Sequence, residues 1–409
     1  MTVPPVPSNS AVLAIKRKLF GSREHVRPVD TDDKKNVTVH NKNFAEEQSK
    51  FLEVVQFLIE KEVDVKAPSL VFIAAGLGYV EVLKYLLDNG ADVNTVNEKN
   101  QTLVYVAASF GHLNVVEYLF FKGVDVKSPA TDGVTPVFEA AARGHLDVVK
   151  YLVEKMSEAD FQQVAKDGCM VFHYAARGGH LEVVKYLNEK GGSATVANEL
   201  GETPILLAAE GGHTDVVQYL FEHGGNVNLP ANDGKTPVWA AAQNGYLTTM
   251  KFLVDKGADV QLVVKPKSKK KEDQTWAGAT TILVAAFDGH LDVVEYLANK
   301  NVDVNAPADD GWTPVFAAAN GGHLKVIEYL VKQKNADVNV TVKSGNYDGA
   351  PAGATPVYTA SHFGYLDIVK FLVEEGKADV NINKAGRTPL KAAQGHPDLK
   401  AYLIQHGAK

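Results

Sequence analysis

The chain has 409 residues, a net charge of −7, 22% charged and 45% hydrophobic residues, and one cysteine, Cys169. The charge argues against a general nucleic-acid binder, and a single cysteine excludes an internal disulfide and points to a reducing compartment. No apolar run approaches the roughly 20 residues of a membrane span, and the five-residue apolar run at Ala11–Ile15, preceded by prolines, is a poor signal peptide.

Residues 1–45 read as a basic, mostly disordered tail. Pro4, Pro5 and Pro7 are followed by a polar run to Asn43 with no sustained apolar period. Eight basic and four acidic residues give the tail +4 and leave −11 on the remainder. Ala11–Phe20 is the exception, with the spacing of one short amphipathic helix. Either it docks on the following structure or stays loose, or it carries a function. Arg17, Leu19 and Phe20, in the run Lys16–Gly21, resemble the cyclin-docking motif, in which an arginine and two apolar side chains enter a shallow groove.

From residue 46 one sentence repeats. Asp309–Val340 is a good copy: a tight turn, a short helix, a second helix and an extended exit. Thr313 is placed to cap the first helix, Pro314 takes its first position, where a missing N–H costs nothing, and Gly322 ends it in the left-handed region. Leu324, Val326, Ile327 and Leu330 form the apolar stripe of the second helix. With the helix-ending glycines as a ruler (Gly78, Gly111, Gly144, Gly179, Gly212, Gly245, Gly289, Gly322, Gly364, Gly395), the intervals are 33, 33, 35, 33, 33, 44, 33, 42 and 31 residues. The two long intervals place insertions near 264–278 and 341–353, both between an exit and the next helix, so both lengthen the same edge.

Five in-register copies, TPVFEAAARGH, TPILLAAEGGH, TPVWAAAQNGY, TPVFAAANGGH and TPVYTASHFGY, begin at Thr135, Thr203, Thr236, Thr313 and Thr355. With the 33-residue period they make residues 46–409 resemble the ankyrin-repeat family. The resemblance implies an all-α solenoid of about ten helix-turn-helix units with β-hairpin fingers, behind a degenerate cap at 46–68. The chain departs from the family at the histidine of T-P-L-H. That histidine is kept only as His173 and is elsewhere replaced by residues such as Phe138, Trp239 and Phe316.

Residue patterns that carry chemistry are sparse. His112, His145, His180, His213, His290, His323 and His396 follow the ruler glycines one per unit, so they read as loop hydrogen-bonders rather than convergent metal ligands. Gly234-Lys235-Thr236 mimics a phosphate loop, but Leu229 stands where its first glycine belongs. Cys169 has no convergent base and reads as an idle thiol. No catalytic, cofactor or metal residues are assigned, and neither a small-molecule substrate, a nucleic acid nor a membrane is expected as a partner.

Family resemblance places binding on the first helices, which line a concave face, and on the finger tips. Positions that vary between copies there give a partner-binding set of Phe110, Arg143, Arg177, Lys235, Asn244, Trp276, Phe287, Trp312, His362 and Phe363. Trp276, Phe287, Trp312 and Phe363 flank the two insertions, either lining a partner site or packing beneath their own loops. The partner site is the expectation taken forward, since hot spots favour such residues. Lys265, Lys267, Lys269, Lys270 and Lys271 make the densest charge run, read as a solvated loop tip, a nuclear-import signal or a contact for an acidic partner. Asn94, Asn228 and Asn305, each with leucine eight residues earlier, resemble substrates of the asparagine hydroxylase that modifies ankyrin repeats. The expected function is a non-catalytic scaffold or adaptor for a protein or peptide partner, cytoplasmic, with the nucleus open through the lysine run. The alternative is a regulatory adaptor that recruits a second partner, a cyclin, through the tail.

Overall fold

A computed structural model of the chain describes residues 34–60, 68–157, 160, 163–265, 276–343, 351–382 and 386–409. Helix α1, Lys34–Glu60, leads ten helix pairs. These are α2/α3 (Pro68–Leu77, Val80–Asp88), α4/α5 (Leu103–Ser109, Leu113–Phe121), α6/α7 (Pro136–Ala142, Leu146–Glu154), α8/α9 (Val171–Gly178, Leu181–Glu189) and α10/α11 (Pro204–Glu210, Thr214–Glu222). There follow α12/α13 (Pro237–Gln243, Leu247–Asp255), α14/α15 (Thr281–Phe287, Leu291–Asn299), α16/α17 (Pro314–Gly321, Leu324–Lys334), α18/α19 (Pro356–Phe363, Leu366–Glu374) and α20/α21 (Pro389–Ala392, Pro397–Gln405). First helices pack on first helices more closely than second on second, so the first helices form the inner row of the stack.

The local reasons are those of the repeat. Thr313 Oγ1 accepts the Phe316 N–H at 3.4 Å, Pro314 opens α16, and Gly322 closes it at φ 81°. Thr102, Thr236, Thr280, Thr355 and Thr388 cap their helices in the same way. Thr135 and Thr203 do not: their hydroxyls are buried without a partner, and proline alone starts α6 and α10. The alanines of the first helices (Ala208 and Ala209, Ala318 and Ala319) are fully buried, which lets neighbouring inner helices touch. Val148, Val149 and Leu152 show the matching stripe on an outer helix.

Two expectations change. Helix α1 runs across residue 45, where the tail was expected to give way to a cap. Phe44, Phe51 and Val55 share a face of this helix; Phe51 and Val55 are buried, and the rings of Phe44 and Phe51 lie 5.3 and 6.0 Å from that of Tyr79. That contact with the first unit extends back to Phe44 a helix whose apolar period, expected as the second helix of the cap, begins only at Phe51. The fingers, in turn, contain no strand among the described residues, only an isolated bridge between Val96 and Thr102. Each finger closes on a backbone pair such as Ala130 N–H to Val134 O (2.8 Å) and then diverges, too short to count as a ladder. Neighbouring fingers are instead tied tip to tip. Thr131 donates to Lys99 O, Lys166 to Asp132 O, Asn232 to Leu200 O and Asp309 to Ala277 O, at 2.8–3.1 Å.

Candidate partner-binding surface

The inner wall is built from the C-terminal ends of the first helices and the turns beside them. Phe110, Arg143 and Asn244 are the residues that end α4, α6 and α12, and all three face solvent. The arginines are held by neighbouring side chains. Arg143 Nε donates to Glu139 Oε1 at 2.6 Å and its guanidinium lies 5.8 Å from the Phe110 ring. Glu139 also accepts from the Tyr105 hydroxyl (3.3 Å) and Ser109 Oγ (3.4 Å), and burial together with this carboxylate pushes the Tyr105 hydroxyl up to about 12. One unit on, Arg177 lies 3.9 Å from Asp167 and 3.5 Å from Glu202, and 5.8 Å over the Tyr174 ring. Lys235 pairs with Asp233 at 3.0 Å and covers Trp239 at 5.4 Å. These cations therefore belong to closed networks, and the Glu139 link was readable four residues before Arg143.

The aromatic residues near the insertions form a continuous row of ring contacts: Trp239–Trp276 at 5.8 Å, Trp276–Phe287 at 5.3 Å, Phe287–Trp312 at 6.0 Å and Trp312–Phe316 at 4.8 Å. Trp312 was expected to face a partner, and it is only 4% exposed. The Asp310 carboxylate accepts its backbone N–H at 3.1 Å, and its ring packs with Phe316, Val342 and Ala354. Val342 and Ala354 belong to the inserted finger of the next unit and pair through their backbones. That finger roofs the indole. Trp276 sits in the turn itself, and it and Phe287 are half-buried. Phe363 remains at the surface, 37% exposed, stacked at 5.8 Å on Tyr365 and beside exposed His362. Partial burial pushes the carboxyls of Asp288 and Asp310 above the ordinary carboxylate value.

Other assigned residues separate by position. Arg17, Leu19 and Phe20, and Lys267, Lys269, Lys270 and Lys271, lie outside the described residues; Lys265 is exposed. Asn228 and Asn305 turn out to be clips between units. Asn228 Nδ2 donates to Gly257 O (2.9 Å) while its Oδ1 accepts the Asp259 N–H (2.8 Å), and Asn305 Oδ1 accepts from Asp337 N–H at 2.9 Å. Asn339 and Asn381 repeat the arrangement and were signalled by the recurrent Asp-Val-Asn exit. Asn94 is exposed, and its backbone N–H is held by Asp92.

Six of the seven glycine-following histidines reach back one unit. Nε2–H of His112, His145, His180, His213, His290 and His396 donates to the carbonyls of Gly76, Ser109, Ala142, Arg177, Gln243 and His362 at 2.9–3.2 Å. No group of three or more His, Cys, Asp or Glu residues able to hold a metal occurs among the described residues. Cys169 is buried, its sulfur receives the Asn198 amide at 3.1 Å, and burial pushes its thiol up to about 11, away from the nucleophilic thiolate. None of the described helices is long and apolar enough to cross a membrane.

The profile described as ankyrin repeats (3 copies) matches residues 44–130, 124–198, 172–264, 260–342 and 343–409. The chain belongs to the ankyrin-repeat family. Among solved structures it is similar to the human ASB11 ankyrin repeat domain, at 22% identity over 58% of this chain and 98% of that one, with a TM-score of 0.49. No curated protein matches it. Ankyrin repeats are protein–protein interaction modules, and the family is typically non-catalytic.

Proposed function

We propose that this chain is a non-catalytic adaptor that holds a protein partner on the inner wall and the adjoining finger tips. The observation that carries the reading is the contrast between positions within one repeat. Framework positions bury nearly the same residue in unit after unit, as Ala141, Ala209 and Ala319 do. The helix-ending positions of the inner wall instead present Phe110, Arg143, Asn244 and Phe363 to solvent, side chains that vary between units. Phe110, 55% exposed, is more open to solvent than Phe363. Exposed aromatics with an arginine laid over them are the composition of a hot spot.

The test is affinity capture with the intact chain beside a Phe110→Ala/Phe363→Ala variant, with partners identified by mass spectrometry. Loss of a partner at unchanged melting temperature is the expected result. An unchanged set of partners would overturn the inner-wall assignment, and turnover of a substrate by the purified chain would overturn the non-catalytic reading.

A further inference from the structure

The outer row carries a second anomaly, on the face opposite the inner wall. The last residue of the outer helix is Asp88, Glu154, Glu189, Glu222, Asp255 and Glu374 in α3, α7, α9, α11, α13 and α19, and the polar Asn299, Lys334 and Gln405 in α15, α17 and α21. In α5 it is Phe121, 87% exposed. The sister units act as internal controls: the stack does not need an apolar group there. Phe120, beside it, is 38% exposed and meets Tyr151 edge-on at 5.9 Å. Together with Val80, Asn114 and Tyr118 these rings line a shallow groove of about 560 Å³ between α3, α5 and α7.

The groove is rimmed by cations. Lys122 Nζ lies 5.5 Å from the Tyr118 ring, Lys84 Nζ 5.6 Å from the same ring, and Lys155 Nζ 5.2 and 5.4 Å from the rings of Tyr151 and Phe120. Lys84 is paired to Glu81 at 2.7 Å. Neither Lys122 nor Lys155 makes an ion pair among the described residues, and Glu117 is the one carboxylate in the lining. Replacing the usual terminal carboxylate by Phe121 therefore adds an exposed apolar anchor and removes a negative charge at the same spot. An exposed aromatic pair within a charged rim marks an interaction site. The rim's sign selects the occupant.

We propose that the Phe120–Phe121 groove docks an acidic amphipathic segment of a partner protein, with an apolar side chain against the two phenylalanines and carboxylates at Lys122 and Lys155. The site is separate from the inner wall and gives the chain two faces for two partners.

The full chain and its Phe121→Glu variant are used in parallel to select from a random peptide library displayed on phage. Phe121→Glu installs the residue type of the sister units, so its melting should match wild type. Peptides enriched on wild type should place an apolar residue among Asp or Glu and weaken with added salt. They should bind about ten-fold or more weakly to Phe121→Glu and to Lys122→Ala/Lys155→Ala, and keep their affinity for Phe110→Ala/Phe363→Ala. Equal enrichment on wild type and Phe121→Glu, or peptides without acidic residues, would overturn the proposal. So would concentration-dependent self-association abolished by Phe121→Glu, which would make the occupant a second copy of this chain.

Discussion

His145 donates through Nε2 to the carbonyl oxygen of Ser109 at 3.1 Å, and so satisfies a helix-end acceptor of the preceding unit. Burial holds the His145 ring below its ordinary pKa, and it does the same for His112 and His180. A folded-state value below the ordinary 6.5 means that the native stack prefers neutral rings and the unfolded chain accepts protons more readily. The stabilisation is complete above about pH 6.5 and is lost as pH falls through the lower folded values. Melting temperature should therefore begin to drop as pH falls below about 6.5, ahead of most carboxylates. Tyr79, Tyr246 and Tyr365 occupy the same place in other units, so tyrosine is the natural non-titrating replacement. His112→Tyr/His145→Tyr/His180→Tyr should flatten the acid limb; an unchanged slope would assign it to other groups.

The same histidines explain why the ruler glycine tolerates nothing larger. Gly111 has φ +76°, and a Cβ there would lie 2.5 Å from His145 Nδ1. Gly123, at φ +80°, has no heavy atom within 4 Å of that position. Gly123→Ala should cost about 1 kcal/mol, the backbone term alone. Gly111→Ala should cost a further ~1–3 kcal/mol from displacing the ring. Chemical denaturation of the two variants measures the difference. Equal losses would show that the ring moves aside freely.

How far the chain could be read from its sequence follows from how local each constraint is. Thr313, Pro314 and Gly322 act within one helix, so their roles were legible from one copy and held in register by the rest. The fate of Trp312 was not, because its burial depends on Val342 and Ala354, in a finger inserted well down the chain. Periodicity marks which positions vary but not whether a distant loop covers them. Helix α1 was missed in part for a related reason: Phe44, Phe51 and Val55 acquire a partner only in Tyr79. On the inner wall, Arg143 and Arg177 are exposed, yet Glu139, Asp167 and Glu202 already hold them.

Asn228 separates a structural from a chemical role for the exit asparagines. Its amide makes two bonds to the next unit, to Gly257 O and from Asp259 N–H, whereas the Asn94 side chain makes no such bridge among the described residues. Asn228→Ala should lower stability by about 1–2 kcal/mol and leave backbone groups of the following unit without their partner. Asn94→Ala should change it by less than ~0.5 kcal/mol. Urea titrations of both variants check the pair, and equal effects would remove the clip from the account.

Trp312 and Phe363, chosen alike from the sequence, should now behave as opposites. Trp312 is enclosed by Phe316, Val342 and Ala354 and joins three units, through Phe287 of the preceding unit and Val342 and Ala354 of the following finger. Trp312→Ala should destabilise the stack by about 3–5 kcal/mol, since the fold has no means of closing so large a void. Because units stabilise one another through their interfaces, the loss should appear as uncoupling of the two ends, with a broadened or split transition. Phe363 rests on Tyr365 with its outer face in solvent, so Phe363→Ala should cost less than ~1 kcal/mol. Calorimetry of the two variants distinguishes them. A small loss at Trp312 would mean that the inserted finger does not seal the indole and would return that residue to the set available to a partner.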